Sequence, residues 1–307
     1  MLTKGEVRAL TVLHGEQTVS EFATQLDRSL SYTSELVARL EATGLVEMRR
    51  HGKTKQVRQS DAKALEILAE ITQEYSHIEW PELLSGATLR VLYYLETPRA
   101  ATDIARHADV HRSTVHRSLA PLLHRGIIYE TAADTYTLNE GFEQLSTLAR
   151  ELAHHDHRQT VEQHTDTYTI LWESLDEFLV QTADEITDDA FIPTGPARFQ
   201  TYDLPLLTRD RRYYLYPKTM NDLSPETLCC HILVIDSGAR AQSYCLLLLS
   251  HVDIDRDKLR NQATKYSVDD FVEDLLTYLD TSGEQRTAPL PEWEDFQELA
   301  TDYGVTA

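Results

Sequence analysis

Two clusters of basic residues stand out in a chain of 307 residues that carries 29 Lys and Arg against 50 Asp and Glu. The first cluster, residues 39–58, holds six bases against two acids. The second cluster, residues 99–125, holds five arginines and four histidines against two acids. Guanidinium and ammonium groups concentrated in this way bind phosphate groups. The sequence therefore predicts a polyanion as a partner.

The acidity lies mainly in the second half of the chain. Of the formal net charge of −21, residues 141–307 supply −18, with 13 bases and 31 acids. Lysine is scarce, whereas Arg, Asp, Glu and Thr are plentiful. This composition is typical of halophilic archaea that accumulate salt, because carboxylates keep a protein surface soluble in molar salt. A protein that is merely acidic is the alternative.

Composition also indicates in which cellular compartment the protein is expected. The most apolar stretch, residues 244–249, is far shorter than the roughly 18 residues of a membrane span. Residues 3–6 lack the apolar core of a signal peptide, and three cysteines, two of them adjacent, form no disulfide framework. We expect a cytoplasmic protein of two or three domains that does not contact the membrane.

The basic clusters belong to a unit that occurs twice, the first copy in residues 1–60 and the second copy in residues 81–140. A shift of 82 positions aligns similar residues: 19–23 with 101–105, Asp27 with Asp109, and 44–46 with 126–128. Such self-similarity indicates one supersecondary unit used twice.

Each copy has the same predicted elements. An apolar helix comes first, and a short helix follows that begins at a hydroxyl residue and an acid, Ser20-Glu21 or Thr102-Asp103. A third helix begins at Ser31 or Ser113 and is closed by a glycine, Gly44 or Gly126. A β-hairpin over residues 46–57 or 127–138 completes the copy.

This order, carried by V-S-E-F-A-T-Q-L-D, S-x-x-S and L-V-A-R-L-E-A-T-G-L-V-E, resembles the winged helix-turn-helix regulators of the MarR and ArsR type. The resemblance implies that the third helix lies in the major groove of duplex DNA and that the hairpin, the wing, contacts the flanking backbone. A winged helix that contacts only protein is the alternative for at least one copy.

The resemblance assigns candidate DNA-binding residues in the first copy. On the third helix they are Ser31, Tyr32, Ser34 and Arg39, which are expected to face solvent together with Glu35. On the wing they are Arg49, Arg50, Lys53, Lys55 and Arg58. Contacts from the wing to phosphates position a protein on DNA but do not select a sequence.

In the second copy the third helix itself is basic. Its candidate residues are Arg112, Ser113, Thr114, His116 and Arg117. Arginine forms two hydrogen bonds to guanine, so Arg112 and Arg117 are the candidates for base recognition. The second wing carries Glu130 and Asp134, which face phosphate poorly. We therefore expect the wing to make most of the DNA contacts in the first copy and the third helix to make most of them in the second.

The connecting segments are predicted to be helical. Residues 61–79 form a linker helix that Trp80-Pro81 stops. A helix from about Gly141 is interrupted by a polar segment with four histidines and resumes over residues 168–179. These helices make a homodimer or pack in the core. The histidines lack the cysteines or carboxylates that would complete a metal site, so no metal or other cofactor is predicted.

The C-terminal region, residues 185–307, is predicted to be mixed α/β. The segments T-G-P-A, L-S-P-E-x-L-x-x-H-x-L and D-K-L-R-x-x-A-x-K-Y-S-V-D-D-F resemble the minimal nucleotidyltransferase-like domain of AbiEi/AbiEii-type toxin–antitoxin proteins. Active members need two carboxylates for Mg²⁺, and this chain offers Asp210 alone among Arg209, Arg211 and Arg212. The arginines can instead bind an anionic effector or DNA.

The sequence thus predicts an α+β protein with two tandem winged helix-turn-helix domains followed by a mixed α/β domain. The predicted boundaries are 1–60, a linker helix at 61–80, 81–140, connecting or dimerisation helices at 141–184, and 185–307. The predicted function is a sequence-specific transcriptional regulator of duplex DNA, a homodimer without catalytic residues. An antitoxin or defence-locus regulator, and a nucleotidyltransferase fused to winged helices, are the alternatives.

Overall fold

The computed structural model describes residues 1–51, 54–206, 211–217 and 223–306. The protein is α+β, with helices and small antiparallel sheets. It divides into two compact units, Met1–Thr160 (unit 1) and Val161–Ala307 (unit 2). No helix in the described ranges combines the length and the apolarity that crossing a bilayer requires.

The first copy contains three helices and a small sheet. Its elements are α1 (Lys4–Val12), β1 (Gln17–Thr18), α2 (Val19–Leu26), α3 (Leu30–Ala42), β2 (Val46–His51) and β3 (Thr54–Gln59). The strands pair antiparallel in the order β1-β3-β2. Leu36, Val37 and Leu40 of α3 are buried, as their helical spacing predicts.

Two helices connect the copies, α4 (Lys63–Glu74) and α5 (Trp80–Leu83). The predicted linker helix lies within residues 61–79 as α4, but the prediction that Trp80-Pro81 stops it was wrong, because α4 ends at Glu74 and Trp80-Pro81 begins α5 instead. Pro81 lies in the first turn of α5, where the missing N–H has no intrahelical acceptor to lose.

The second copy repeats this order of elements. They are α6 (Ala87–Tyr93), β4 (Arg99–Ala100), α7 (Ala101–His107), α8 (Arg112–His124), β5 (Ile128–Ala132) and β6 (Thr135–Leu138), with sheet order β4-β6-β5. The helices α3 and α8 begin at Leu30 and Arg112, 82 positions apart, and have the same length. The predicted glycines are also confirmed, since Gly44 and Gly126 follow these helices with φ of 68° and 67°.

The starts of the second helices differ from the prediction. Thr18, not Ser20, precedes α2, and its hydroxyl accepts a hydrogen bond from Glu21 N at 3.2 Å while Glu21 Oε2 accepts one from Thr18 N at 2.8 Å. In the second copy Ala100, not Thr102, takes this position and provides no side-chain cap. The pairing of β1 and β4 with the hairpins moves each helix start to the end of the short strand.

The third helices also begin earlier than predicted. Ser29 rather than Ser31 caps α3 by accepting from Tyr32 N at 3.3 Å. His111 rather than Ser113 caps α8, with Nδ1 accepting from Ser113 N at 3.2 Å. A neutral imidazole nitrogen accepts as a serine oxygen does, so a histidine cap is easily missed in a sequence.

Unit 1 contains most of a long helix, α9 (Gln144–Glu162). The predicted interruption at the histidines was wrong, because the helix continues through His154, His155 and His157. His155 Nε2 donates to Thr43 O at 2.7 Å, and Arg150 Nε donates to Tyr93 O at 3.4 Å. The helix α9 therefore contacts both copies. Its apolar residues are buried: Leu145, Leu148, Ala149, Leu152 and Ala153.

Unit 2 combines a sheet with several helices. Its elements are β7 (Tyr168–Glu173), β8 (Phe178–Thr182), β9 (Ile192–Thr194), a 3-10 helix (Pro196–Tyr202), β10 (Arg212–Tyr216), α10 (Pro225–Ile235), α11 (Ala239–His251), α12 (Arg256–Tyr266), α13 (Asp269–Asp280) and α14 (Trp293–Asp302). The sheet is antiparallel, with strand order β7-β8-β10-β9. Ser224 caps α10 by accepting a hydrogen bond from Thr227 N.

The predicted helix over residues 168–179 was wrong, since this segment forms β7, a turn and the start of β8. The dimerisation helices expected within 141–184 thus reduce to α9. Between Ile170 and Trp172 the register shifts at a β-bulge. A bulge interrupts the two-residue alternation of a strand, and the remaining spacing of apolar residues imitates a helix.

The core of unit 2 contains the cysteine-histidine group of α10. Cys229, Cys230 and His231 are fully buried. His231 Nδ1 hydrogen-bonds with Thr194 Oγ1 at 2.8 Å, and burial lowers the pKa of His231 to about 3. Burial likewise raises the pKa of the Cys230 thiol. These side chains are neutral residues of the core.

Candidate DNA-binding surfaces

The exposed side of α3 carries polar residues and two large side chains, Leu30 and Tyr32. Ser31, Tyr32 and Ser34 are exposed, as predicted for this helix. Leu30 is 52% exposed and was not among the predicted residues. Leu30 occupies the position of Arg112 in the second copy, so the repeat itself would have identified it. Exposed apolar side chains on such a helix can contact thymine methyl groups.

Arg39 is held by α1. Its Nε donates to Glu6 Oε1 at 3.2 Å. Burial alone would raise the pKa of Glu6, but hydrogen bonds from Thr3 and Arg39 outweigh it and lower that pKa. The charge of Arg39 is therefore partly neutralised within the first copy.

The base of the first hairpin, β2–β3, contains a second ion-pair group. Arg58 donates to Glu47 Oε2 through Nη2 at 2.7 Å and through Nε at 3.0 Å, and Arg49 Nη2 lies 3.4 Å from the same oxygen. The hydrogen bonds from Arg58 lower the pKa of Glu47. Two of the predicted phosphate-binding arginines thus share one carboxylate.

Arg50 and Lys55 differ from these arginines. They lie directly opposite each other on β2 and β3, and both are exposed. Within the described ranges neither has a carboxylate oxygen within 4.0 Å. Like charges directly opposite each other repel, and a phosphate would remove this repulsion. Lys53, also predicted here, lies outside the described residues.

In the second copy the exposed side of α8 presents Ser113 and Arg117, with Thr114 and His116 half-buried. Arg117 Nη2 lies 3.5 Å from Thr114 Oγ1. No carboxylate in the described part of the chain lies within 4.0 Å of Arg117. Arg117 is thus a cation on the helix that lacks an internal acid.

Arg112 has such an acid, at the tip of the second hairpin. Arg112 Nη2 donates to Asp134 Oδ2 at 2.7 Å, and His116 Nε2 lies 3.5 Å from Asp134 Oδ1. Asp134 lies in the turn with φ of 58°, and its N–H donates to Glu130 Oε1 at 2.7 Å. The acidic wing therefore contacts its own helix. Both groups stand out in the sequence, but their contact does not, because 22 positions separate them along the chain.

The segment in which the sequence analysis sought paired carboxylates is only partly described, because Arg209 and Asp210 lie outside the described residues. Across the described ranges, no three side chains of the His, Cys, Asp and Glu types converge on a possible metal position. In unit 1 the histidines of α9 instead contact protein groups, as His155 does.

Comparisons with known proteins locate two regions of similarity. Residues 88–132, from α6 to β5, match the IclR helix-turn-helix domain. Residues 188–305 match the model of a C-terminal domain family, HVO_2833_C. No curated protein matches the chain. The first match supports a DNA-binding transcription regulator with an IclR-type helix-turn-helix domain; it does not point to the MarR or ArsR type.

Proposed function

We propose that the chain is a transcription regulator that binds duplex DNA through both copies, each acting as a winged helix-turn-helix domain. The observation that carries this proposal is the repeat: α3 and α8 begin 82 positions apart, within copies that share element order and sheet order. The second copy contains the IclR match. The first copy thus has the framework that the match identifies in the second.

In this proposal α3 and α8 enter the major groove and the two hairpins contact the backbone. The first copy contributes mainly through Arg50 and Lys55, the hairpin cations that lack a carboxylate partner in the described residues. The second contributes mainly through α8, where Arg117, Ser113 and Thr114 face outward or lie at the edge of the exposed side. The first copy would supply affinity and the second would supply sequence preference.

A homodimer remains a prediction, but the helix α9 now gives it little support. Leu148 and Leu152 of α9 are buried within the chain, so this helix offers little apolar surface to a second copy of the protein. A single chain already contains two helices of the recognition type. We propose that one chain contacts two adjacent stretches of groove.

The test is fluorescence anisotropy with the full chain, on DNA from its own promoter and on a scrambled duplex, from about 0.2 to 2 M KCl, the range in which phosphate contacts weaken steeply. We expect Arg50→Ala with Lys55→Ala to weaken binding to both duplexes equally and to reduce the log–log salt slope by about two. Arg117→Ala should remove promoter preference worth about 1–3 kcal/mol.

Lys63→Ala is the matched control, because Lys63 is an exposed base on α4 that pairs with Glu66 at 2.8 Å, outside the proposed surfaces. It should bind both duplexes like the wild type. Equal wild-type affinity for promoter and scrambled DNA, or no binding at any salt concentration, would contradict the proposal. If Arg50→Ala with Lys55→Ala lowers the affinity for DNA and Arg117→Ala changes nothing, DNA binding belongs to the first copy alone.

A further inference from the structure

Most arginines of unit 2 that the structure describes contact a carboxylate. Four such pairs are Arg212 with Glu185 at 3.6 Å, Arg256 with Asp280 at 2.7 Å, Arg260 with Glu273 at 2.6 Å and Arg286 with Glu292 at 2.5 Å. Arg211 and Arg240 have no carboxylate within 4.0 Å among the described residues. In a chain with 50 acidic residues, such arginines are candidates for an external anion.

Arg211 and Arg240 line the same pocket, which has a volume of about 340 Å³. This volume is at the lower end of the range for small-molecule sites. The sheet contributes Gln181 and Tyr213 to the wall. The helices α10 and α11 contribute apolar and aromatic side chains: Ile232, Ile235 and Tyr244.

Neutral groups hold both arginines in place. Arg240 Nε donates to Tyr244 Oη at 2.6 Å, and its guanidinium lies 5.5 Å from the centre of the same ring. Arg211 Nη1 donates to Gln181 Oε1 at 3.3 Å. These contacts orient the guanidinium groups, and no carboxylate of the described residues compensates their positive charges, which favours a charge-assisted contact with a ligand.

The backbone at Gly195 is fitted closely to the same wall. Its φ is 74°, and a Cβ at this position would lie 2.8 Å from Tyr213 Cδ2 and 3.2 Å from Ile235 Cδ1. Asp236 also lines the pocket, and its Oδ1 accepts from Gly238 N at 2.8 Å. Among the residues that the structure describes, the charged side chains of the lining are two arginines and one aspartate, a balance suited to an anion of low charge.

We propose that this pocket binds a small organic anion that carries one or two negative charges. Its carboxylate or phosphate oxygens would pair with Arg211 and Arg240, and its apolar or aromatic body would pack against Ile232, Ile235 and Tyr244. Asp236 disfavours polyphosphates by repulsion. The proposal concerns unit 2 and does not depend on DNA binding by unit 1.

The test is calorimetric titration of the full chain at constant KCl with benzoate, phenyl phosphate and neutral benzamide. We expect saturable binding of an anionic probe and binding at least about tenfold weaker for benzamide, because a hydrogen bond to a charged group contributes about 1.5–3 kcal/mol. Preference for benzoate or for phenyl phosphate would identify the anionic group.

Arg211→Gln with Arg240→Gln should weaken the anionic probe at least about tenfold. Arg212→Gln is the matched control, because Arg212 follows Arg211 on the chain but pairs with Glu185; it should bind like the wild type. Tyr244→Phe, which removes the hydroxyl that orients Arg240, keeps the test available if the double variant unfolds, and should weaken the probe by a smaller factor. No saturable binding of either anion, or equal binding by the variants or by benzamide, would overturn the proposal.

Discussion

The two copies place the acidic partners of their basic residues at opposite ends of the hairpin. In the first copy Glu47 holds Arg58 near the base of the hairpin, and Arg50 and Lys55 extend beyond it. In the second copy Asp134 lies at the tip and holds Arg112 of the helix. The backbone framework of the two copies is the same. A few side chains decide that the positive charge without an acidic partner in the described residues lies on the hairpin in the first copy, at Arg50 and Lys55, and on the third helix in the second copy, at Arg117.

This difference shows how an acidic protein can present two kinds of DNA contact. A phosphate contact depends on free charge and weakens with salt, whereas a base contact depends on a precisely placed donor. The Arg112–Asp134 pair lowers the free charge of the second copy. The first prediction below tests this division of function between the copies, and the others compare the stability of the two copies.

The largest effect is expected from Asp134→Asn. Removing the carboxylate frees Arg112 and His116 and removes one negative charge from the hairpin tip, so affinity for both promoter and scrambled DNA should rise about three- to tenfold at low salt, with a steeper salt slope. Anisotropy titration measures both quantities. The Arg112–Asp134 contact would be a base-positioning contact instead if promoter affinity fell.

The control for Asp134→Asn is Asp103→Asn. Asp103 pairs with the exposed Arg106 on α7 of the same copy, at 2.5 Å, so the substitution removes the same charge and frees an arginine away from the hairpin tip. It should change DNA affinity less than Asp134→Asn does. Equal gains from the two variants would indicate a general effect of net charge.

A smaller effect is expected on stability, because the second helix has a side-chain cap in the first copy and none in the second. Thr18→Ala removes the cap of α2 and should lower the free energy of unfolding by about 1 kcal/mol. Ala100→Ser should raise it by up to a similar amount, because α7 has no side-chain cap. Urea denaturation monitored by circular dichroism measures both. Equal and opposite shifts are not required, but a stabilising Thr18→Ala would contradict this account.

The Thr18 effect should also depend on pH. Hydrogen bonds from the Thr18 backbone and side chain lower the pKa of Glu21 from its ordinary value of 4.5. A carboxylate with a lowered pKa stabilises the fold above its unfolded pKa and loses this contribution as pH falls through the folded value. The decrease in the free energy of unfolding caused by Thr18→Ala should therefore be largest above about pH 5 and should become smaller in more acidic solution.

The smallest difference is expected between Gly44→Ala and Gly126→Ala. Both residues have a left-handed backbone, so each substitution should cost about 1 kcal/mol. A Cβ at Gly44 would also lie 2.7 Å from Gln159 Oε1 of α9, whereas Gly126 has open space. Because the end of a glutamine side chain can move, we expect Gly44→Ala to cost only a few tenths of a kcal/mol more. Thermal denaturation of the two variants tests this order.

The framework was largely predictable because it depends on local signals. The 82-residue repeat, Gly44 and Gly126 at the helix ends, the two hairpins and the Ser224 cap are all encoded in short segments. The errors arose where local signals compete. The bulge at Ile170–Trp172 hid a strand, and the polar histidines of α9 looked like an interruption although the helix contacts both copies.

The sequence by itself determined that unit 1 contains the same group of elements twice and where its basic residues lie along the chain. Tertiary structure alone decided which of those bases have acidic partners, because ion pairs such as Arg39 with Glu6 and Arg112 with Asp134 join residues 33 and 22 positions apart. The pocket with Arg211 and Arg240 has the same origin. A charge available for binding is set by distances of a few ångströms across the fold, and these distances are not written in local sequence patterns.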